Sequence, residues 1–161
     1  MEAFSSLTDD QVSFLRAISN TDARYLVVGG YALRHHNCPR RTEDLDVFLE
    51  RSESSVDALL VALSSLRTGD LSRARQHLLR EDKKLVWNGV DLFTTMRQLD
   101  FQVLFNECAR ATYKGIQIPM ISCHHLKLAK RIALNDPERM SRWQADREDL
   151  ECLERQHGKA D

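Results

Sequence analysis

Two aspartates separated by one leucine, Asp44-Leu45-Asp46, open an apolar run that continues through Leu49. On a β-strand, successive side chains point to opposite faces. The two carboxylates therefore project the same way, with Cα atoms about 7 Å apart, while Leu45 and Val47 point into the core. Bare carboxylates on one face repel each other, so the arrangement asks for a cation between them. Hard oxygen ligands suit Mg²⁺ or Mn²⁺, and two such ions about 3.5 to 4 Å apart can clamp a transferring phosphoryl group. Asp91 alternates with Val90 and Leu92 in a later β-like run. It would add a third carboxylate if its strand lies beside the first, about 4.8 Å away. Asp100 is the fallback, but its place before an apolar helical stripe reads as a helix cap. Gly29-Gly30 closes the run Tyr25–Val28. Without a Cβ, backbone N–H groups there can approach a triphosphate, and the helix that follows adds its positive end.

Positioning these groups requires a sheet with helical backing. Thr8 and Gln11 form a capping-box pattern, followed by Val12, Leu15 and Ile18 on one face, and predict a first helix over Thr8 to Asn20. A strand over Tyr25 to Val28, a short helix from Gly30 to His36 and a strand over Leu45 to Leu49 come next. After a polar break from Arg51 to Ser55, Val56, Leu59, Leu60, Leu63 and Leu66 mark the clearest helix, with Gly69 beyond its end. Leu71, Ala74, Leu78 and Leu79 predict a short helix. Asn88-Gly89 joins Lys84–Trp87 to Val90–Phe93 as an antiparallel hairpin. Phe101, Leu104, Phe105 and Cys108 form a helical stripe, and Ala111 to Pro119 reads as a second, weaker hairpin around Gly115. Ser122 caps a helix to about Asn135, with Leu126, Ala129, Ile132 and Ala133 inward and Lys127, Lys130 and Arg131 on other faces. Asp136-Pro137 breaks it, and a last helix from Met140 to Gln156 ends at Gly158. The order is α+β, a mixed sheet flanked by helices with further helices at the C-terminus, read as one domain over residues 1–161.

Composition narrows the alternatives. With 23 basic and 24 acidic residues the net charge is −1, which gives no whole-molecule field for non-specific nucleic-acid binding. Local basic clusters at Arg34, Arg40 and Arg41, and at Lys127, Lys130 and Arg131, leave room for a basic groove. The absence of a membrane-length apolar run or a secretory signal pattern sets the cytoplasm as the expected location and no membrane as the expectation for partners. Cys38, Cys108, Cys123 and Cys152 form no CxxC pair and are expected as reduced, mostly buried thiols. The histidines beside them, His35, His36, His124 and His125, fit no standard zinc spacing.

Taken in order, an apolar strand, Gly29-Gly30, thirteen residues, Asp44-Leu45-Asp46 and a later Asp91 closely resemble the nucleotidyltransferase superfamily of the DNA polymerase beta type. More narrowly, VGGYALRHH followed by RRTEDLDVFLE is similar to small bacterial members related to abortive-infection and toxin-antitoxin nucleotidyltransferases. IPMISCHHLKLAKRIAL and DREDLECLE are similar to their C-terminal region. His35-His36-Asn37 departs from the His-Gly common in these relatives, which puts the turn after the short helix in question. The resemblance implies a nucleotidyltransferase-like fold and the two-metal transfer of a nucleoside monophosphate from an NTP such as ATP to an acceptor hydroxyl, releasing pyrophosphate. Asp44, Asp46 and Asp91 would hold Mg²⁺ or Mn²⁺, with Asp91 also taking the acceptor proton. Gly29 and Gly30 would cradle phosphates, and Arg40, Thr42 and Lys130 would touch phosphate or base. The acceptor would be RNA such as tRNA, a protein or a small molecule, and a cognate antitoxin would be a partner. A second reading keeps the fold but makes the protein a catalytically silent binding or regulatory partner in a toxin-antitoxin pair.

Overall fold

A computed structural model describes residues 3–157. Among these, six strands form one mixed sheet and seven α-helices surround it. The central strands are β1 (Tyr25–Val28) and β2 (Leu45–Leu49), paired antiparallel so that Val28 lies opposite Asp46. Each carries a hairpin on its outer side. On one side, β3 (Leu85–Trp87) and β4 (Val90–Phe93) attach through a parallel pairing of β4 with β2. On the other, β5 (Ala109–Tyr113) and β6 (Ile116–Met120) attach through a parallel pairing of β6 with β1. The resulting order is β3-β4-β2-β1-β6-β5.

Both hairpins turn on two residues of positive φ, Asn88-Gly89 and Lys114-Gly115, the backbone twist that matches paired strands. The second hairpin, expected as the weaker, has the longer strands and starts two residues before the predicted Ala111.

Helix α1 (Asp9–Ser19) has both capping-box bonds and buries Phe14, Leu15 and Ile18. Its Gln11 is fully buried, and its amide donates to the carbonyls of Glu43 and Gly89, both at 2.8 Å. One side chain thus ties the first helix to the segment before β2 and to the β3–β4 turn. Helix α2 (Gly29–His35) follows β1 directly, and α3 (Glu53–Ser64) begins three residues earlier than its apolar periodicity marks. The reason is Ser52, whose hydroxyl accepts from the Ser55 amide and caps the helix. Short helices α4 (Ala74–Leu79) and α5 (Phe101–Asn106) flank the β3–β4 hairpin in sequence, and Asp100 is the α5 cap, accepting from the Gln102 amide at 2.8 Å. After α6 (Cys123–Leu134), a 3₁₀ segment (Pro137–Arg142) intervenes before α7 (Trp143–His157). Met140 therefore lies outside the last helix, and the expected stop at Gly158 lies outside the described residues. Asn37 takes φ +67°, the left-handed conformation that asparagine tolerates best after glycine, and so closes α2 without the glycine of the resembled pattern.

One expectation is overturned. Cys38 and Cys152 are joined in a disulfide, with Cα atoms 5.9 Å apart across 114 residues of sequence. Residue spacing says nothing about such a pair, because only the packing of α7 against the end of α2 brings the two together. Cys108 and Cys123 remain free and half-buried. No helix among the described residues is long and apolar enough to cross a membrane.

Candidate functional site

Asp46 is the one position in β1 and β2 that is not fully buried. The parallel register of β2 and β4 places it directly opposite Asp91, and residues in register on neighbouring strands present their side chains to the same face. Asp44 precedes it by two and is exposed. The sheet thus gathers at one end the three carboxylates that the sequence scatters over 48 positions. Burial, then the charges of Asp91 and Asp44, push the Asp46 carboxyl up from 3.8 to about 6, against the opposing pull of Lys84 and Lys130. Asp91 meets a cation of its own chain, the Lys84 ammonium at 3.2 Å.

The glycine pair has a steric role here. Gly29 sits at φ +69°, and a Cβ on it would lie 2.2 Å from Asp46 Oδ2. A Cβ on Gly30 would lie 2.6 Å from Thr42 Cβ and Oγ1. Bare backbone at these two positions is what lets Asp46 and Thr42 close on the start of α2, where no side chain caps the helix. The Thr42 hydroxyl donates to the Asp44 carbonyl at 3.2 Å and holds the loop entering β2.

All eight residues singled out in the sequence, Asp44, Asp46, Asp91, Gly29, Gly30, Arg40, Thr42 and Lys130, line one cleft of about 1040 Å³. Its far wall is α6 and the segment leading into α7. Leu126, Ala129, Ile132 and Ala133 face this cleft, and the last three are only half-buried. The stripe expected to point inward is thus largely the apolar side of an open groove.

Arg40 and Lys130 are already committed. Arg40 forms an ion pair with Asp149 of α7, and Lys130 lies 2.9 Å from Asp149 and 3.3 Å from Asp146. Arg139 adds a further pair to Asp146 at 2.9 Å. Asp146 is 1% exposed. Burial alone would raise its carboxyl, but hydrogen bonding from Arg139 and the charges of Lys130 and Arg139 hold it below the ordinary value. Sequence reasoning missed Lys84, Asp146, Asp149 and Gln11. Two of these had a legible signal: Asp146 and Asp149 are three apart and share a helical face. Lys84 lies two residues before Val86, the cross-strand neighbour of Asp91, so it shares Asp91's side of the hairpin diagonally. The paired histidines are engaged elsewhere, the His36 ring with the Ile121 carbonyl at 2.9 Å and the His125 ring 3.3 Å from Glu107.

As they stand, no three His, Cys, Asp or Glu side chains among the described residues form a group that could hold a metal ion. The donor chemistry at Asp44, Asp46 and Asp91 is nevertheless all carboxylate oxygen, which suits Mg²⁺ or Mn²⁺. Burial first, and then the neighbouring carboxylates, raise the Asp46 carboxyl, and a bound cation would act against both. No family model matches this chain, and no curated protein matches it.

Proposed function

We propose that the protein is a metal-dependent nucleotidyltransferase of the DNA polymerase beta type, moving a nucleoside monophosphate from an NTP to an acceptor hydroxyl. The observation that carries this reading is the register of Asp46 against Asp91, beside Asp44 and the glycine pair at the floor of one cleft. Mg²⁺ or Mn²⁺ held by Asp44, Asp46 and Asp91 would neutralise phosphate charge and polarise the transferred phosphoryl group. For Asp91 to take part, it must exchange the Lys84 ammonium for the ion.

The chain's own residues account for the rest. Backbone at Gly29 and Gly30, with Thr42, faces the phosphates. The apolar stripe on α6 offers a surface for the base. Arg40 and Lys130 reach the triphosphate by giving up Asp149. Asp91 accepts the proton of the acceptor hydroxyl as its oxygen bonds to the α-phosphorus and the bond to pyrophosphate breaks. Positioning and charge neutralisation supply most of the rate in such a transfer.

A second reading, a catalytically silent partner of a toxin-antitoxin type system, is favoured by one observation. The cations expected on the nucleotide are held by α7 carboxylates, and Asp91 by Lys84. Incubation with each labelled NTP and Mg²⁺ or Mn²⁺ separates the two, with tRNA, other RNA, total protein and the protein itself offered as acceptors. Label transfer that is lost in Asp46→Asn supports the enzyme. Metal-dependent NTP binding without transfer to any acceptor supports the silent partner. Neither transfer nor binding removes both.

A further inference from the structure

At the end of β1 opposite the glycine pair lies a second cavity of about 480 Å³, bounded by the end of α1, the start of β1 and the β5–β6 hairpin. Its chemistry differs from that of the main cleft. Arg16 and Arg110 line it together with Gln117, and no aspartate or glutamate does, in a chain that carries 24 acidic residues. Neither arginine has a carboxylate partner among the described residues; Arg16 donates only to the Lys114 carbonyl, at 3.3 Å. Phe105 and Ile116 supply an apolar wall.

The second observation is Tyr25. It lines this cavity and is 4% exposed, yet its hydroxyl is buried and has no hydrogen-bond partner among the described residues. Buried polar groups in folded proteins are almost always satisfied, so an orphan of this kind calls for a missing partner. A phenol that stays protonated donates its hydrogen bond. Burial raises the Tyr25 hydroxyl well above its ordinary value, partly offset by the charge of Arg110, so it is a donor throughout the physiological range. A protonated phenol and two guanidinium groups are all donors, and the group that satisfies them together is an oxyanion.

We infer that this cavity binds a small organic anion, a phosphate or carboxylate group attached to an apolar body. Its oxygens meet Tyr25, Arg16 and Arg110, and its body lies on Phe105 and Ile116. The site is separate from the aspartate cleft and does not depend on the nucleotidyltransferase reading.

Titration of the full chain with phenyl phosphate, benzoate, inorganic phosphate and the neutral isostere benzamide tests this, followed by amide chemical shifts and calorimetry. Saturable binding of phenyl phosphate or benzoate, at least tenfold tighter than benzamide, is expected. Whichever of the two binds more tightly identifies the anion class, and inorganic phosphate reports how much the apolar body adds. Tyr25→Phe and Arg110→Gln should each weaken that binding tenfold or more. Without ligand, Tyr25→Phe should melt no lower than the parent, because it removes an unsatisfied hydroxyl. No saturable binding of either organic anion would overturn the site, as would binding that both substitutions leave unchanged. A lowered melting temperature of ligand-free Tyr25→Phe would show the hydroxyl already satisfied, and would overturn the argument that a ligand completes it. Arg110 is exposed, so Arg110→Gln reads the anion contact in an unperturbed fold, independently of Tyr25→Phe.

Discussion

Asp46 carries a cost in its ionised form. Its folded-state carboxyl is raised to about 6 from 3.8, so between these values the folded protein retains a proton that the unfolded chain has released. Stability therefore falls as pH rises from about 4 to 6, and at neutral pH the deficit is on the order of 3 kcal/mol before screening. Asp46→Asn is expected to stabilise the metal-free protein at pH 7 by about 1 to 3 kcal/mol, and under the proposed nucleotidyltransferase reading to abolish transfer. Urea unfolding at pH 4 and pH 7 checks the first part, since the gain should vanish at the lower pH. The neighbouring Gly29 tests the steric half of the site. Gly29→Ala meets both the positive φ and the 2.2 Å approach to Asp46 Oδ2, and should cost about 1 to 3 kcal/mol in the same measurement. At an exposed position with ordinary dihedrals such a change would be nearly silent.

Elements hold these residues in place through two ties that local sequence patterns do not display. Gln11 of α1 donates to the carbonyls of Glu43 and Gly89, one residue before Asp44 and two before Asp91. Gln11→Ala removes both bonds, leaving the Gly89 carbonyl with the Leu45 amide alone, and is expected to destabilise the fold by about 1 to 3 kcal/mol. It should also broaden the amide signals of Asp44 and Asp91, and loss of stability without that broadening would separate the tie from the site. The second tie is the Cys38–Cys152 disulfide. Asp149 lies three residues before Cys152 on α7, and its partner Arg40 lies two after Cys38, so the bridge clamps this ion pair from both sides. On the chain-entropy account, closing a loop of this size contributes about 4 to 5 kcal/mol. A thiol reductant, or Cys152→Ser, should lower the melting temperature and expose the α7 amides to hydrogen exchange before those of β1 and β2.

For the molecule as a whole, the far wall of the main cleft is held by charge, with Asp146 and Asp149 of α7 paired to Arg40 of the α2–β2 loop, Lys130 of α6 and Arg139 of the 3₁₀ segment. Asp149 faces both Arg40 and Lys130. Asp149→Asn should therefore tighten binding of inorganic triphosphate several-fold, with the gain shrinking as salt rises. An unchanged or weaker affinity would show that these two cations serve α7 alone. The sequence by itself determined the parts whose cause is local. Period-2 alternation set Asp46 apart from the buried Leu45 and Val47 on either side of it, although β2 begins only at Leu45 and leaves Asp44 in the bend before it; Asn88-Gly89 made the hairpin, and Thr8 with Gln11 made the cap. Capping by Ser52 and the α7 placement of Asp146 and Asp149 were equally local and could have been read. The tertiary structure decided everything that depends on which strands become neighbours and which helices meet. The parallel pairing of β4 with β2 brought Asp91 opposite Asp46, and the docking of α7 on α6 and on the α2–β2 loop turned Arg40 and Lys130 toward carboxylates and Cys38 toward Cys152. Side-chain periodicity fixes the direction a residue faces within its own element, whereas the partner it meets depends on long-range burial that no window of sequence contains.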